Sequence, residues 1–293
     1  MKKILFGAIF LVMMVGCKSL KVVDQNAAVN AGVAAAQALT ISDSQINQLC
    51  KEYMAQTDSE NTVLPASNDY TKRLKRIMSK FNNISSLNVN YKVYQSKTVN
   101  AFACGDGSIR VYSGLMDVMD DDELFAVIGH ELGHLKNKDI RDAYRTAYLI
   151  VAARYGIAAY SQTAGAIATG FLGDLGQQIA SNAYSRKQEY EADEASFQYC
   201  VSNGVDPFAM YRALNVLIRL NGNSSTQSSV AQMFSTHPDS SKRATRIKEM
   251  AEAAGYKMGS ASSSSSSNTT GGTSTGGSNP TVKPKTNTVK PKQ

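Results

Sequence analysis

Residues 128–139 read I-G-H-E-L-G-H-L-K-N-K-D and hold two of the chain's three histidines. His130 and His134 stand four apart with Glu131 between them. A helix turns about 100° per residue, so positions i and i+4 stack on one face. Two imidazoles placed this way reach one point, as a metal ion requires. Glu131 lies beside that face, within reach of a water at the same point. This is the metallopeptidase spacing, with two ligands and one base fixed by a single helix. Zn2+ is the expected ion, one per chain. It favours nitrogen ligands and in catalytic sites takes three protein ligands plus water. It also lowers the pKa of that water to about 7, so hydroxide is available at neutral pH.

The third ligand has to come from elsewhere. The acidic stretch S-R-K-Q-E-Y-E-A-D-E-A offers Glu189, Glu191, Asp193 and Glu194. On a helix Glu189 and Asp193 share a face, and Glu191 does not. One carboxylate can bind the metal while the other accepts a hydrogen bond from a ligand histidine, fixing its tautomer. The bland reading, a solvated acidic face, would leave the metal short of a ligand. The third histidine, His237, precedes Pro238 in a loop. It is expected to serve the reaction by donating to a developing oxyanion or by blocking the metal in a resting form. An ordinary surface loop position is its alternative. Arg243 and Arg246 follow at helical spacing, where either can orient an acidic group.

These residues need elements to carry them. Helical periodicity begins at Ser42, with Ile46, Leu49, Cys50 and Tyr53 on one face. A second helix is expected over 69–82, with Tyr70, Leu74, Ile77 and Met78 inward. N-V-N-Y-K-V-Y-Q-S alternates and reads as a strand. T-V-N-A-F-A-C and S-I-R-V-Y-S flank G-D-G, so 98–113 reads as a hairpin. Its Asn100, Ala101, Phe102 and Ala103 are expected to form an edge strand that pairs with an extended substrate. Asp120 with Glu123 forms a capping box that starts the H-E-x-x-H helix, which should end near Asn137. Residues 140–183 read as helical, and the charge-free run 155–173 as a tight helical hairpin or a helix on a membrane surface. Helices are expected over 184–203, from Pro207 to about Leu220, and over 238–254, with N-S-S-T-Q-S-S as a loop. The fold class is α+β, mostly helical, with a sheet of about three strands beside the H-E-x-x-H helix.

Both ends differ from this middle. Residues 1–16 read as a secretory signal: Lys2 and Lys3, then an apolar run, then Gly16. The run is well short of the roughly 20 residues a membrane span needs. Met14-Val15-Gly16-Cys17 resembles a bacterial lipobox, which makes Cys17 a lipidation site and 17–40 a tether. The expected location is the bacterial cell envelope, lipid-anchored on the outer membrane facing the periplasm; Lys18 is merely not the aspartate associated with inner-membrane retention in enterobacteria and does not decide the membrane or leaflet. The catalytic domain is then 41–257. The Ser/Thr/Gly and Lys/Pro tail, 258–293, has too few apolar residues to order itself. Eight of the 31 Lys and Arg sit at the two ends, while all 24 Asp and Glu lie between them. The folded part is therefore near neutral, and the charge gives no argument for nucleic acid. Export places Cys50, Cys104 and Cys200 in an oxidising space. The expected bond is Cys50–Cys104, with Cys200 a buried free thiol.

The motifs together resemble the HtpX and CAAX-prenyl-protease family of zinc peptidases. The likeness lies in H-E-L-G-H-L-K-N-K-D, in S-R-K-Q-E-Y-E-A-D, in V-N-A-F-A and I-R-V-Y-S-G-L-M before them, and in T-H-P-D-S-S-K-R-A after them. It spans roughly residues 42–255 and is greatest to the lipoprotein branch, the LoiP (YggG) type. It implies a gluzincin fold with His130, His134 and Glu189 as zinc ligands, Glu131 as catalytic base and Asp193 behind a ligand. It also implies periplasmic protein quality control, with unfolded or envelope proteins as substrates and other quality-control proteins as partners. Two rival functions stand beside it. One is a chaperone or assembly lipoprotein with a structural zinc closed by His237 as fourth ligand. The other, suggested by the basic tail, is a hydrolase of cell-wall peptides.

Overall fold

The computed structural model describes residues 42–81, 84–161 and 183–259, with Gln178 and scattered positions among 25–40. The signal segment, Cys17, most of the tether, the charge-free run from residue 162 and the tail from 260 lie outside the described residues. Among the described residues no helix is long and apolar enough to cross a membrane.

The architecture is mostly helical around one small sheet. Helices α1 (Asp43–Glu60) and α2 (Asp69–Met78) precede β1 (Asn90–Tyr94), β2 (Ala101–Ala103) and β3 (Ser108–Tyr112). Then come α3 (Ser113–Val118), α4 (Asp121–Asn137), α5 (Asp139–Ser161), α6 (Arg186–Ser202), α7 (Ala209–Asn221), α8 (Gln227–Thr236) and α9 (Ser240–Ala253). The expected hairpin forms, with Ala101 opposite Val111, while β1 joins the far side of β3 in parallel. The order β1-β3-β2 leaves β2 at an edge.

The central element is α4. Its capping box forms as the sequence predicts: Asp120 accepts from the Glu123 backbone at 2.8 Å and Glu123 accepts from the Asp120 backbone at 3.0 Å. From Glu123 to His134 every residue of α4 is buried. Its main partner is α6, and glycines set how close the two helices come. A Cβ on Gly133 would stand 2.9 Å from Ala192 Cα, and one on Gly129 3.3 Å from Ser196 Cα. The pair thus forms a small-residue seam, tied by Ser196 Oγ donating to Ala126 O at 2.6 Å. This close approach brings the carboxylates of α6 to the histidines of α4.

Three expectations change. The second helix stops at Met78 rather than 82. The serine-rich stretch read as loop gives way at Gln227 to α8, because Val230 and Met233 bury in the main core and the gain outweighs weak local propensity. Cys50 and Cys104 are neighbours but stand as free thiols rather than a disulfide. Both face the Tyr144 hydroxyl, at 3.1 and 4.0 Å, in a second core between α1 and α5. Cys200 is buried as expected.

The Asp58 carboxylate anchors α1 to the sheet through two ion pairs. Arg110, on β3, is almost fully buried and forks onto Asp58 at 2.8 and 3.0 Å, while Lys92 and Tyr94 donate to the same carboxylate at 2.7 and 2.6 Å. Burial works against the charge on Asp58, but hydrogen bonds from Arg110, Lys92 and Tyr94 outweigh it and hold the carboxyl well below the usual range. A depressed carboxylate contributes stability above its unfolded pKa of roughly 4, lost as pH falls toward the folded value. Asp58→Asn leaves the Arg110 charge buried without its partner and is expected to destabilise the fold by about 3 kcal/mol at pH 7. Urea melts of parent and variant check this, and the gap between them should shrink below pH 4. Equal midpoints at pH 7 would show that the pair contributes nothing.

Candidate metal centre

Four buried donors converge from three helices. His130 Nε2 and His134 Nε2, on α4, lie 3.1 Å apart. Glu189, in the first turn of α6, places Oε1 3.5 Å from His134 Nε2 and Oε2 3.6 Å from His130 Nε2. His237, which caps the C-terminal end of α8, brings Nδ1 within 3.3 Å of His130 Nε2 and 3.0 Å of Glu189 Oε1. One ligand atom from each residue lies within 4.8 Å of all the others. Ligands at 2.0–2.1 Å around a tetrahedral zinc are about 3.3–3.4 Å apart. The observed spacings scatter around that edge length, and the donor set is nitrogen and carboxylate oxygen, so the residues fit Zn2+.

Each helical histidine is held from behind. Asp193, one turn after Glu189, sits 2.9 Å from His130 Nδ1. Asp139 sits 2.7 Å from His134 Nδ1. With Nδ1 as donor in both rings, Nε2 is left facing the cluster. Asp193 matches its expected place, and Glu191 is exposed and pairs with Lys187 instead. Asp139 was not singled out by the sequence. It lies just past the end of α4, and it turns back because Lys138 adopts the left-handed conformation at φ 63°. The ring of Tyr184 stacks on His134, with centroids 3.8 Å apart and planes 14° apart. The Tyr184 backbone N–H donates to Thr236 O at 3.1 Å, joining this wall to the turn before His237.

Among the described residues Arg243, on α9, is the cation that pairs with the cluster's carboxylates. Its Nε and Nη2 fork onto Asp193 at 2.9 and 2.6 Å, and Nη2 lies 3.3 Å from His130 Nδ1. Its Nη1 forms a close ion pair with Glu189 Oε2. Arg246 sits elsewhere, stacked over the Tyr190 ring at 4.9 Å. These charges set the site's protonation. Burial and the Arg243 charge push His130 down to about 3, despite Asp193. Burial also opposes charge on His134, but hydrogen bonds to Asp139 and Glu189 lift it to about 9. Asp193 loses to burial less than it gains from Arg243, and falls to about 2. Glu189 lies well below the carboxylate range, since His237 and His134 outweigh its burial.

Glu131 is placed differently. It is buried, and burial pushes its carboxyl up. Its Oε1 has no hydrogen bond and lies 3.6 Å from His237 Nε2. The carboxylate borders a cavity of about 90 Å3 lined by Tyr53, Phe102, Tyr112, Ile140 and Tyr184, with His237 at its rim. Asn100 and Ala103 line the same cavity, and the Ala103 backbone hydrogen-bonds to Glu131. Asn100 Oδ1 is buried without a partner. Ala101 is buried in the main core and does not line the cavity. The edge strand and the glutamate therefore meet at one opening.

Comparison with known proteins agrees with this geometry. The profile of Peptidase family M48 matches residues 65–251. Metalloprotease LoiP of Escherichia coli (strain K12) is 37% identical over 243 residues, which cover 83% of this chain and 93% of that protein. Metalloprotease YcaL of the same organism is 38% identical over 238 residues, 81% and 92% of the two chains. A protease HtpX homolog of Thermococcus sibiricus is 29% identical over 202 residues, 56% and 68%. LoiP and YcaL match almost equally, so the expected LoiP type is not separated from its sister.

Proposed function

The chain belongs to peptidase family M48 and is a metallopeptidase, and on that premise we propose that it hydrolyses unfolded or envelope proteins at one zinc site. His130, His134 and Glu189 are its ligands. When bound there, Zn2+ supplies a water of pKa about 7 and polarises a peptide carbonyl. His134 would hold the ion as a neutral imidazole, giving up the proton that its hydrogen bonds to Asp139 and Glu189 favour.

The chain's own residues supply the rest. Asp193 and Asp139 hold the two Nδ1 protons and fix both rings. Glu131 takes a proton at Oε1 from a water in the cavity and passes it to the leaving nitrogen. The edge strand β2 pairs with an extended substrate, and Asn100 Oδ1 accepts a backbone N–H from it. A substrate side chain enters the cavity beside Tyr53 and Phe102. His237 caps the site in a resting form, and its Nδ1 position among the donors favours this over oxyanion donation. The envelope setting rests on the signal-like segment 1–16 and on the lipobox-like Met14-Val15-Gly16-Cys17, with Cys17 as the site of lipid attachment.

The observation that carries this reading is the unpartnered Glu131 Oε1 between a buried four-donor cluster and an open cavity. The same cluster favours one rival, a structural zinc, because His237 can close the site with a fourth protein ligand. Metal analysis and casein digestion on the purified chain separate the two. One zinc per chain with digestion that stops on chelation and returns with zinc supports the peptidase. Full zinc with no digestion of any unfolded protein supports the structural site.

A further inference from the structure

Arg243 spends its guanidinium on both carboxylates of α6, and it treats them differently. Asp193 is held by both oxygens, at 2.9 and 2.6 Å, in the planar fork that only an arginine makes. Glu189 is held by one. Its Oε2 pairs with Arg243 Nη1 and also lies 3.6 Å from His130 Nε2, while Oε1, clear of the arginine, lies 3.5 Å from His134 Nε2 and 3.0 Å from His237 Nδ1. Arg243 is about 1% exposed, and Glu189 and Asp193 are fully buried, so no water competes for these contacts. Both acids lie one turn apart on α6 and both reach the histidines, Glu189 on the Nε2 side of His130 and His134 and Asp193 at His130 Nδ1. With both oxygens occupied, Asp193 is confined to His130 Nδ1.

Resting on the metal site described above, we propose that Arg243 is a positioning residue that makes Glu189 a one-oxygen ligand and bars Asp193 from the metal. The consequence is open coordination. A carboxylate that grips with both oxygens fills a place that water or a substrate carbonyl needs. A charge paired to Oε2 prevents it. Arg243 thereby acts through Glu189 without touching substrate.

Cobalt-substituted full-length protein reads this directly. Tetrahedral four-coordinate Co2+ absorbs visible light more strongly than five-coordinate Co2+. The parent is expected to bind one Co2+ with an intense visible band. Arg243→Met should keep one Co2+ but lose at least about half of that intensity as Glu189 turns two-oxygen. If the Met variant does not fold, Arg243→Lys carries the test. It keeps the buried charge, but a single ammonium cannot hold Asp193 by both oxygens and Glu189 as well, so the band should weaken too. A merely structural arginine would lower the melting temperature and leave the band untouched. A variant that binds one Co2+ with parental intensity overturns the proposal and leaves the metal site standing. A parent that binds no Co2+ and no Zn2+ overturns both.

Discussion

Glu131→Gln is expected to cut casein hydrolysis by about 100- to 10,000-fold while the protein keeps its full zinc. The substitution changes neither size nor shape. It removes the negative charge and with it the ability to accept a proton. Glu131 Oε1 has no hydrogen bond to lose, and the residue is not among the four clustered donors. The metal should therefore stay. Burial pushes the parent carboxyl upward, closer to the pH at which a base both takes and returns a proton. The acid limb of the parent pH profile should accordingly lie above the ordinary glutamate range of roughly 4. Two measurements decide the matter, the rate of casein digestion and zinc per chain. Parental digestion by the Gln variant would end the assignment of Glu131 as base. Loss of zinc with loss of rate would make Glu131 part of the ligand set instead.

Those parts of the site that depend on helix periodicity could be read from the sequence. His130, His134, Glu189 and Asp193 are two pairs at spacing four, and spacing four has one meaning on a helix. Asp120 and Glu123 fixed where α4 begins for the same local reason. The remaining parts needed tertiary contact. Asp139 follows His134 by five residues, off its face of the helix. It reaches the ring only because Lys138 reverses the chain. Tyr184, just before α6, joins the site by stacking on His134 of α4, which no local pattern signals. Gly129 and Gly133 mark the α4–α6 seam, but a glycine shows close approach only once its partner is known. In α8 the serines hid a helix whose stability comes from Val230 and Met233 in the core. The expected Cys50–Cys104 bond does not form: spacing along the chain carries no connectivity, and the two stand as neighbouring free thiols beside Tyr144.

Ranking the zinc affinities of ligand variants tests whether the site is catalytic or closed. His134→Ala and Glu189→Gln each remove a direct ligand, so each should lower zinc affinity more than the roughly 10- to 100-fold typical of losing an outer partner. Asp139→Asn should fall within that smaller range. It leaves His134 in place but removes the carboxylate 2.7 Å from Nδ1 that makes the ring a stronger ligand. His237→Ala is the deciding member. In a catalytic site three protein ligands suffice, and the place that His237 leaves is taken by water. Its zinc affinity should then stay within about tenfold of the parent, and casein hydrolysis should rise, since the resting cap is gone. In a structural site four protein ligands share the ion, and His237→Ala should cost as much as His134→Ala. Chelator competition on all four variants gives the order. The position of His237 in that order is informative because its Nδ1 already lies as close to Glu189 Oε1, at 3.0 Å, as any pair in the cluster. Proximity alone makes it look like a ligand, and only the affinity ranking tells a removable cap from a permanent one.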